Sequence, residues 1–259
     1  MKVTILGCGA SSGIPIIGCR CAVCQSPNPK NKRLRASILI EQGNTRLLVD
    51  MSPDLRQQAL THQITQVDAI CITHAHADHT HGIDDVRPFN YMKDQALPVY
   101  ATRETFDRIE RQFSYCFQPP IPEFGWFRPA LKAHEVELNR VPFQVSDEMV
   151  VTPFLQIHGN MPCMGIRVGN FAYSTDVNNL PEESLQTLEN IEVWVVDCLR
   201  YSTAPTHAHL DMTLEWIARV KPKRAILTHM AHEMDYDSLK SHLPAHVEPA
   251  YDGMVIHCN

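Results

Sequence analysis

The chain has 259 residues, enough for a sizeable core, and its 44% hydrophobic and 20% charged content reads as globular rather than disordered. A formal net charge of −6 and a pI near 6.1 argue against a broad nucleic-acid surface. No apolar stretch approaches membrane-spanning length, and "MKVTILGCGA" is a better first strand than a signal peptide, so the expectation is one cytoplasmic domain over residues 1–259.

In chain order, "ASILIEQGNTRLLVDMS" predicts two strands joined at Gln42-Gly43-Asn44. "SPDLRQQALTH" predicts a helix with Ser52 as N-cap and Pro53 at its first position. "VDAICIT" is a short apolar run of the fully buried type, "LPVYAT" a strand and "RETFDRIERQF" an amphipathic helix. Residues 117–145, with "FQPPIPEFGWFRP", predict an irregular excursion near the mouth of a site. "MVVTPFLQIH", "MGIRV-GN-FAYSTD" and "IEVWVVDCL" predict strands, the middle one a hairpin turning at Gly169-Asn170. "HLDMTLEWIARV" predicts a helix, "KRAILTH" a strand, "DYDSLKSHL" a helix and "GMVIHC" a last strand. Hairpins mixed with βα units point to an α/β sandwich of mixed sheets rather than a purely parallel doubly wound sheet.

One pattern recurs along these elements. Apolar strands end in ligand-type residues at Asp50, His74, His158, Asp176, Asp197 and His229. Strand ends are where α/β folds gather a site. The densest case is "CITHAHADHTHG" over 71–82, with four histidines and one aspartate. His74 and His76 are two apart and share a direction in extended backbone, and Asp78 and His79 follow as the chain turns. Imidazole and carboxylate together suit Zn, Mn, Fe or Ni. With His158, Asp176 and His229 the set reaches seven ligands, enough for two ions bridged by one carboxylate.

Nine cysteines without a signal peptide argue against a disulfide framework. Three are bunched in "GCRCAVC", and Cys19, Cys21 and Cys24 suggest structural zinc, with free thiols in a loop as the alternative. A fourth ligand is missing locally. His232 lies three residues after His229 and could face away from the catalytic ions.

H-x-H-x-D-H after a buried strand, with His, Asp and His at later strand ends, resembles the metallo-β-lactamase superfamily across nearly the whole chain. The resemblance implies an αββα sandwich with a site between two β-sheets. It implies that His74, His76 and His158 hold one metal, that Asp78, His79 and His229 hold a second, and that Asp176 bridges. His76 stands where the superfamily's diiron redox branch carries a glutamate, which favours hydrolysis.

"GCGASSGIP", the early cysteines, "LTHMAH" and the late "YDGM" resemble one branch, the PhnP-type phosphodiesterases. That likeness implies His232 as the fourth zinc ligand, two active-site ions (Mn or Zn), and a small cyclic or nucleotide-like phosphodiester as substrate, such as phosphoribosyl 1,2-cyclic phosphate. A homodimer is common among relatives. No insertion resembles the tRNA-binding arm of the ribonuclease Z type, and the acidic balance counts against tRNA. "APTHAHLDMTLEW" resembles the segment carrying a histidine before a helix, which makes His209 the first choice of general acid and His207 its competitor.

Arg87 in "GIDDVRPF" is a candidate for substrate phosphate, with a salt bridge to Asp84 or Asp85 as an equal account. Asp50 and Asp252 are candidates for orienting ligand imidazoles from behind, with simple capping as the alternative. His81 reads as exposed or at the site edge. The alternative functions are a PqqB-like redox protein of quinone cofactor synthesis and a hydrolase of another ester class.

Overall fold

The computed structural model describes residues 1–93, 95–118 and 131–258, and the backbone alone at 92 and 93. Fourteen strands form two seven-stranded sheets among these residues. The first sheet contains β1 (Lys2–Gly7), β2 (Ser37–Gln42), β3 (Thr45–Val49), β4 (Ala69–Cys71), β5 (Leu97–Ala101) and β6 (Leu131–Glu135). The second contains β7 (Phe143–Ser146), β8 (Met149–His158), β9 (Met161–Val168), β10 (Phe171–Ser174), β11 (Val193–Asp197), β12 (Arg224–Thr228) and β13 (Val247–Pro249). The last strand, β14 (Val255–His257), returns to the first sheet, giving the orders β14-β1-β2-β3-β4-β5-β6 and β13-β12-β11-β10-β9-β8-β7.

Each sheet is antiparallel in one half and parallel in the other. Strands β3 to β6 run parallel, as do β10 to β13, and the remaining pairs are antiparallel. The central strands of the parallel halves, β4 and β11, are buried on both faces and read as continuous apolar runs such as "VWVVD", while the edge strand β6 is largely exposed. The period-two rule sorts these runs. Along β2 and β3, Ile38, Ile40, Leu47 and Val49 face the core between the sheets, while Leu39 and Leu48 join a second cluster. That second cluster packs the outer face of the first sheet against α2 (Leu55–Thr61), α4 (Arg87–Lys93) and α5 (Arg103–Phe117), through Leu55, Phe89, Phe106 and Ile109. Helices α6 (Glu182–Thr187), α7 (Leu210–Val220) and α8 (Tyr236–His242) add Leu185, Ile217 and Leu239 to the other core. The expected sandwich of two mixed sheets with helices is therefore observed. Two one-turn helices, α1 (Ala22–Gln25) and α3 (Ala77–Thr80), carry candidate metal ligands.

Several local expectations need correction. Helix α2 begins at Leu55, with Asp54 rather than Ser52 at the N-cap. Ser52 is diverted: its hydroxyl donates to Gln58 Oε1 at 3.1 Å and accepts from the Asp54 N–H. Asp54 in turn accepts from the Arg35 N–H and pairs with its guanidinium at 2.8 Å. The segment 117–145 is not irregular throughout, because β6 and β7 form sheet edges within it. Most of "FQPPIPEFGWFRP" lies at 119–130, outside the described residues.

Gly82 joins the fold to the site. Its N–H donates to the Met51 carbonyl at 2.9 Å, and the Met51 N–H donates to the His79 carbonyl at 2.8 Å. A Cβ on Gly82 would lie 2.1 Å from the Ser52 carbonyl oxygen, a backbone atom that cannot swing away. Gly82→Ala should cost about 1–3 kcal/mol. Thermal unfolding of the purified variant should show a Tm several degrees lower, and an unchanged Tm would contradict this close approach.

Candidate metal centre

Three residues that end strands have left-handed backbone. Asp50 follows β3 with φ 65°, Asp176 lies just past β10 with φ 54°, and His229 follows β12 with φ 56°. Non-glycine residues rarely adopt this conformation, Asp and His less rarely than most, and it concentrates at functional sites. All three are buried at 2% exposure or less. The "THAHADH" loop enters from the first sheet. His76 caps α3, the Thr80 hydroxyl closes the turn on the His76 carbonyl at 2.8 Å, and Asp78 and His79 lie within that turn.

These segments meet in two donor groups that share one residue. His74, His76, His158 and Asp176 form the first; Asp78, His79, Asp176 and His229 form the second. Within each group the donor atoms all lie within 4.8 Å of one another. The two oxygens of Asp176 face different partners: Oδ1 is 3.8 Å from His74 Nε2 and 3.8 Å from His158 Nε2, while Oδ2 is 3.1 Å from His79 Nε2. Oδ1 is also 3.4 Å from His229 Nε2.

The residues behind the ligands fix their tautomers. Asp50 Oδ2 accepts from His79 Nδ1 at 2.7 Å and is itself held by the Thr73 hydroxyl. The Thr206 carbonyl accepts from His158 Nδ1 at 2.7 Å. In both cases the other ring nitrogen faces the centre, the orientation that imidazole ligands need.

The chemistry of this donor set fits cations. His74 Nε2, His79 Nε2 and both ring nitrogens of His229 are buried with no hydrogen-bond partner. Each such atom costs roughly 1–3 kcal/mol when left unsatisfied. Asp50, Asp176 and Asp197 are also buried at 1% exposure or less. Uncompensated carboxylates at that depth are costly, and two divalent ions would offset them. Burial would raise the Asp176 carboxyl, but His229 and His79 outweigh it and hold it well below its ordinary range. Burial would lower the His79 imidazole, but Asp176, Asp50 and Asp78 raise it well above its usual value.

His207, the competing choice for general acid, lies in the centre. Its Nδ1 is 3.0 Å from Asp197 Oδ2 and its Nε2 is 3.9 Å from Asp176 Oδ1. Its ring stacks on His229 at 4.7 Å and meets His158 edge-on at 4.6 Å. His209 stands instead at the N-cap of α7, with its Nδ1 buried and unpartnered, and shares no ion pair, ring contact or donor group with these residues. The connection from β11 doubles back, with the Leu199 N–H on the Ala208 carbonyl at 2.9 Å and the Leu210 N–H on the Arg200 carbonyl at 3.0 Å. No sequence spacing announced that return.

Other candidates are placed elsewhere. Asp252 does not touch a ligand imidazole: it accepts from the backbone N–H groups of Cys8 at 3.1 Å and Leu34 at 2.7 Å. Burial pushes its carboxyl up to about 7. Arg87 pairs with Asp84 at 3.1 Å on the exposed side of the helix. His81 is exposed, with its ring against Phe113 at 5.4 Å.

The second cluster assembles across the chain. His232 Nδ1 lies 3.3, 3.5 and 3.9 Å from the sulfurs of Cys19, Cys21 and Cys24. Tetrahedral zinc with ordinary bond lengths requires sulfur–nitrogen separations of about 3.5 Å. The Cys24 N–H at 3.4 Å is the main influence lowering the Cys21 thiol to about 6, which favours the thiolate that metal binding needs. Buried Arg33 holds the loop bearing His232 by donating to the carbonyls of Ala231 and Met234.

Comparisons with known proteins place the chain in a family. The family model described as "Beta-lactamase superfamily domain" matches residues 45–230. A crystal structure of a new diphosphatase from the PhnP family is 34% identical, superposes with a TM-score of 0.90, and is covered to 96% by 98% of this chain. Zn(2+)-bound PqqB from Methylobacterium extorquens superposes with a TM-score of 0.81 over the whole of both chains at 19% identity, which shows a common fold. An octanoyltransferase of Porphyromonas gingivalis is 35% identical over 98% of this chain, and the chain spans about half the length of that relative. Among the described residues no helix is long and apolar enough to cross a membrane. With this fold, this donor set and these relatives, the chain belongs to the metallo-β-lactamase superfamily and is PhnP-like.

Proposed function

We propose that the chain is a phosphodiesterase with two active-site ions, Mn or Zn, acting on a small cyclic or nucleotide-like phosphodiester such as phosphoribosyl 1,2-cyclic phosphate. The carrying observation is the pair of four-residue donor groups joined at Asp176. His74, His76 and His158 would hold one ion, Asp78, His79 and His229 the other, and Asp176 both. Two ions so held supply an activated water and charge compensation for an in-line displacement at phosphorus.

The chain's own residues do the rest. Asp197 accepts from His207 Nδ1, which orients the ring and leaves Nε2 facing the centre. Protonated at Nε2, His207 is placed to give its proton to the leaving oxygen, so His207 takes the role that the family likeness had first given to His209. Asp50 and Thr206 hold two ligand rings from behind. The cluster of Cys19, Cys21, Cys24 and His232 would hold a third, structural zinc. The PqqB likeness is one of fold and carries no redox activity to this chain. The name octanoyltransferase belongs to a protein about twice as long.

Three outcomes test this reading. Asp176→Ala should lose bound active-site metal and phosphodiester turnover together, measured by metal analysis beside an activity assay; retained turnover would sink the assignment. His207→Ala should lower kcat about 10²–10⁴-fold on a diester with an alkoxide leaving group. It should lower kcat much less with p-nitrophenolate, which leaves without a proton, and His209→Ala should spare both; the reverse pattern would return the role to His209. Cys24→Ser should bind one zinc fewer per chain and melt at a lower temperature, and an unchanged zinc content would remove the structural-zinc assignment.

A further inference from the structure

Two histidines assigned above to different ions reach the same buried carboxylate from behind. His79 Nδ1 donates to Asp50 Oδ2 at 2.7 Å. His74 shares no hydrogen bond with Asp50, but its Nδ1 lies 3.1 Å from the Thr73 hydroxyl. That hydroxyl donates to Asp50, 2.9 Å from Oδ2 and 3.1 Å from Oδ1. A hydroxyl has one hydrogen, and Asp50 takes it, so toward His74 the Thr73 oxygen accepts. The contacts run unbroken from His74 through Thr73 and Asp50 to His79.

This relay is held rigidly. Asp50, Thr73 and His74 are each buried to 3% exposure or less. The Thr73 N–H donates to Asp50 Oδ1 at 2.8 Å, and the Thr73 carbonyl accepts from the Met164 N–H of β9 at 2.9 Å. The Thr73 backbone is therefore tied to the end of β3 and to the second sheet at once, and its branched side chain has few rotamers to choose from. The Cys163 sulfur, 3.8 Å from His74 Nδ1, is a weak acceptor and no substitute for the hydroxyl. Asp50 accepts from the Thr73 N–H, the Thr73 hydroxyl and His79 with its two oxygens. An amide, with one oxygen and a donor in place of the other, cannot carry that load.

We propose that Thr73 is a positioning residue whose hydroxyl ties His74 to Asp50, so that one carboxylate sets ligand rings of both ions. This rests on the two-ion centre proposed above. The ions are then joined twice, in front through Asp176 and behind through Thr73 and Asp50.

The test is Mn binding rather than turnover. Mn is added to protein stripped of its active-site ions, and free Mn is counted by its electron paramagnetic resonance signal, which gives the product of the two dissociation constants. Thr73→Val keeps the shape and removes the hydroxyl, and should raise that product about 10–100-fold. Thr73→Ser restores the hydroxyl and should bind as the wild type does. Asp50→Asn should raise the product further, and the double variant Asp50→Asn with Thr73→Val should match Asp50→Asn within about threefold, because both changes break one relay. An unchanged product in Thr73→Val would overturn the proposal, as would equal losses in Thr73→Val and Thr73→Ser. Losses that multiply in the double variant would make the two residues independent and also overturn it. Should Asp50→Asn not fold, the two Thr73 variants decide alone. A wild type that binds fewer than two Mn would overturn the two-ion centre and this proposal with it.

Discussion

The site depends on where one carboxylate stands. Asp176 is buried to 1% exposure, in left-handed backbone, with its two oxygens turned to different sets of imidazoles. Everything around it follows from the cost of that position. An isolated carboxylate at this depth would stay neutral or force the chain open. Here it is surrounded by His74, His79, His158, His207 and His229. Asp50, Thr206 and Asp197 hold the far sides of His79, His158 and His207. The result is a cluster of buried imidazoles and carboxylates whose chemistry fits cations.

The sheets make that cage stiff. Residues at the ends of β3 and β4 come from one sheet, and those at the ends of β8, β10, β11 and β12 from the other. Apolar packing between the sheets fixes the separation, through side chains such as Ile38, Val49, Cys71, Met164 and Tyr173, all fully buried. A ligand set spread over four strand ends, with Asp50 and Asp197 behind it at two more, cannot relax as a loop would, so the burial energy of the core is what holds the donor atoms together. Arg33 extends the same logic to the cysteine cluster. Its guanidinium ties the loop that carries His232, only three residues beyond His229, so the two donor clusters share one segment of backbone.

The legible features were those in which local sequence and tertiary role agree. "THAHADH" follows a buried strand, and its spacing alone brings imidazoles and a carboxylate together. The strands whose period-two or fully apolar pattern runs for five residues or more were readable, as was the Gly43-Asn44 turn. What escaped was set by long-range competition. Ser52 has the chemistry of an N-cap, but its hydroxyl is taken by buried Gln58, so the helix starts at Leu55. The edge strand β13 has three residues, one of them proline, too few to show a period. His207 and His209 are two residues apart with the same local context, and only the return of the connection onto Leu199 and Arg200 decides which enters the centre.

The most direct measurement is a metal titration of turnover. The protein would be stripped of its active-site ions, and hydrolysis of bis(p-nitrophenyl) phosphate followed as Mn or Zn is returned in counted equivalents. The shared-carboxylate centre predicts turnover that appears as the second equivalent binds, with the zinc proposed for the cysteine cluster held throughout. Full turnover at one equivalent would contradict the two-ion centre, and no turnover with either ion would contradict the phosphodiesterase itself.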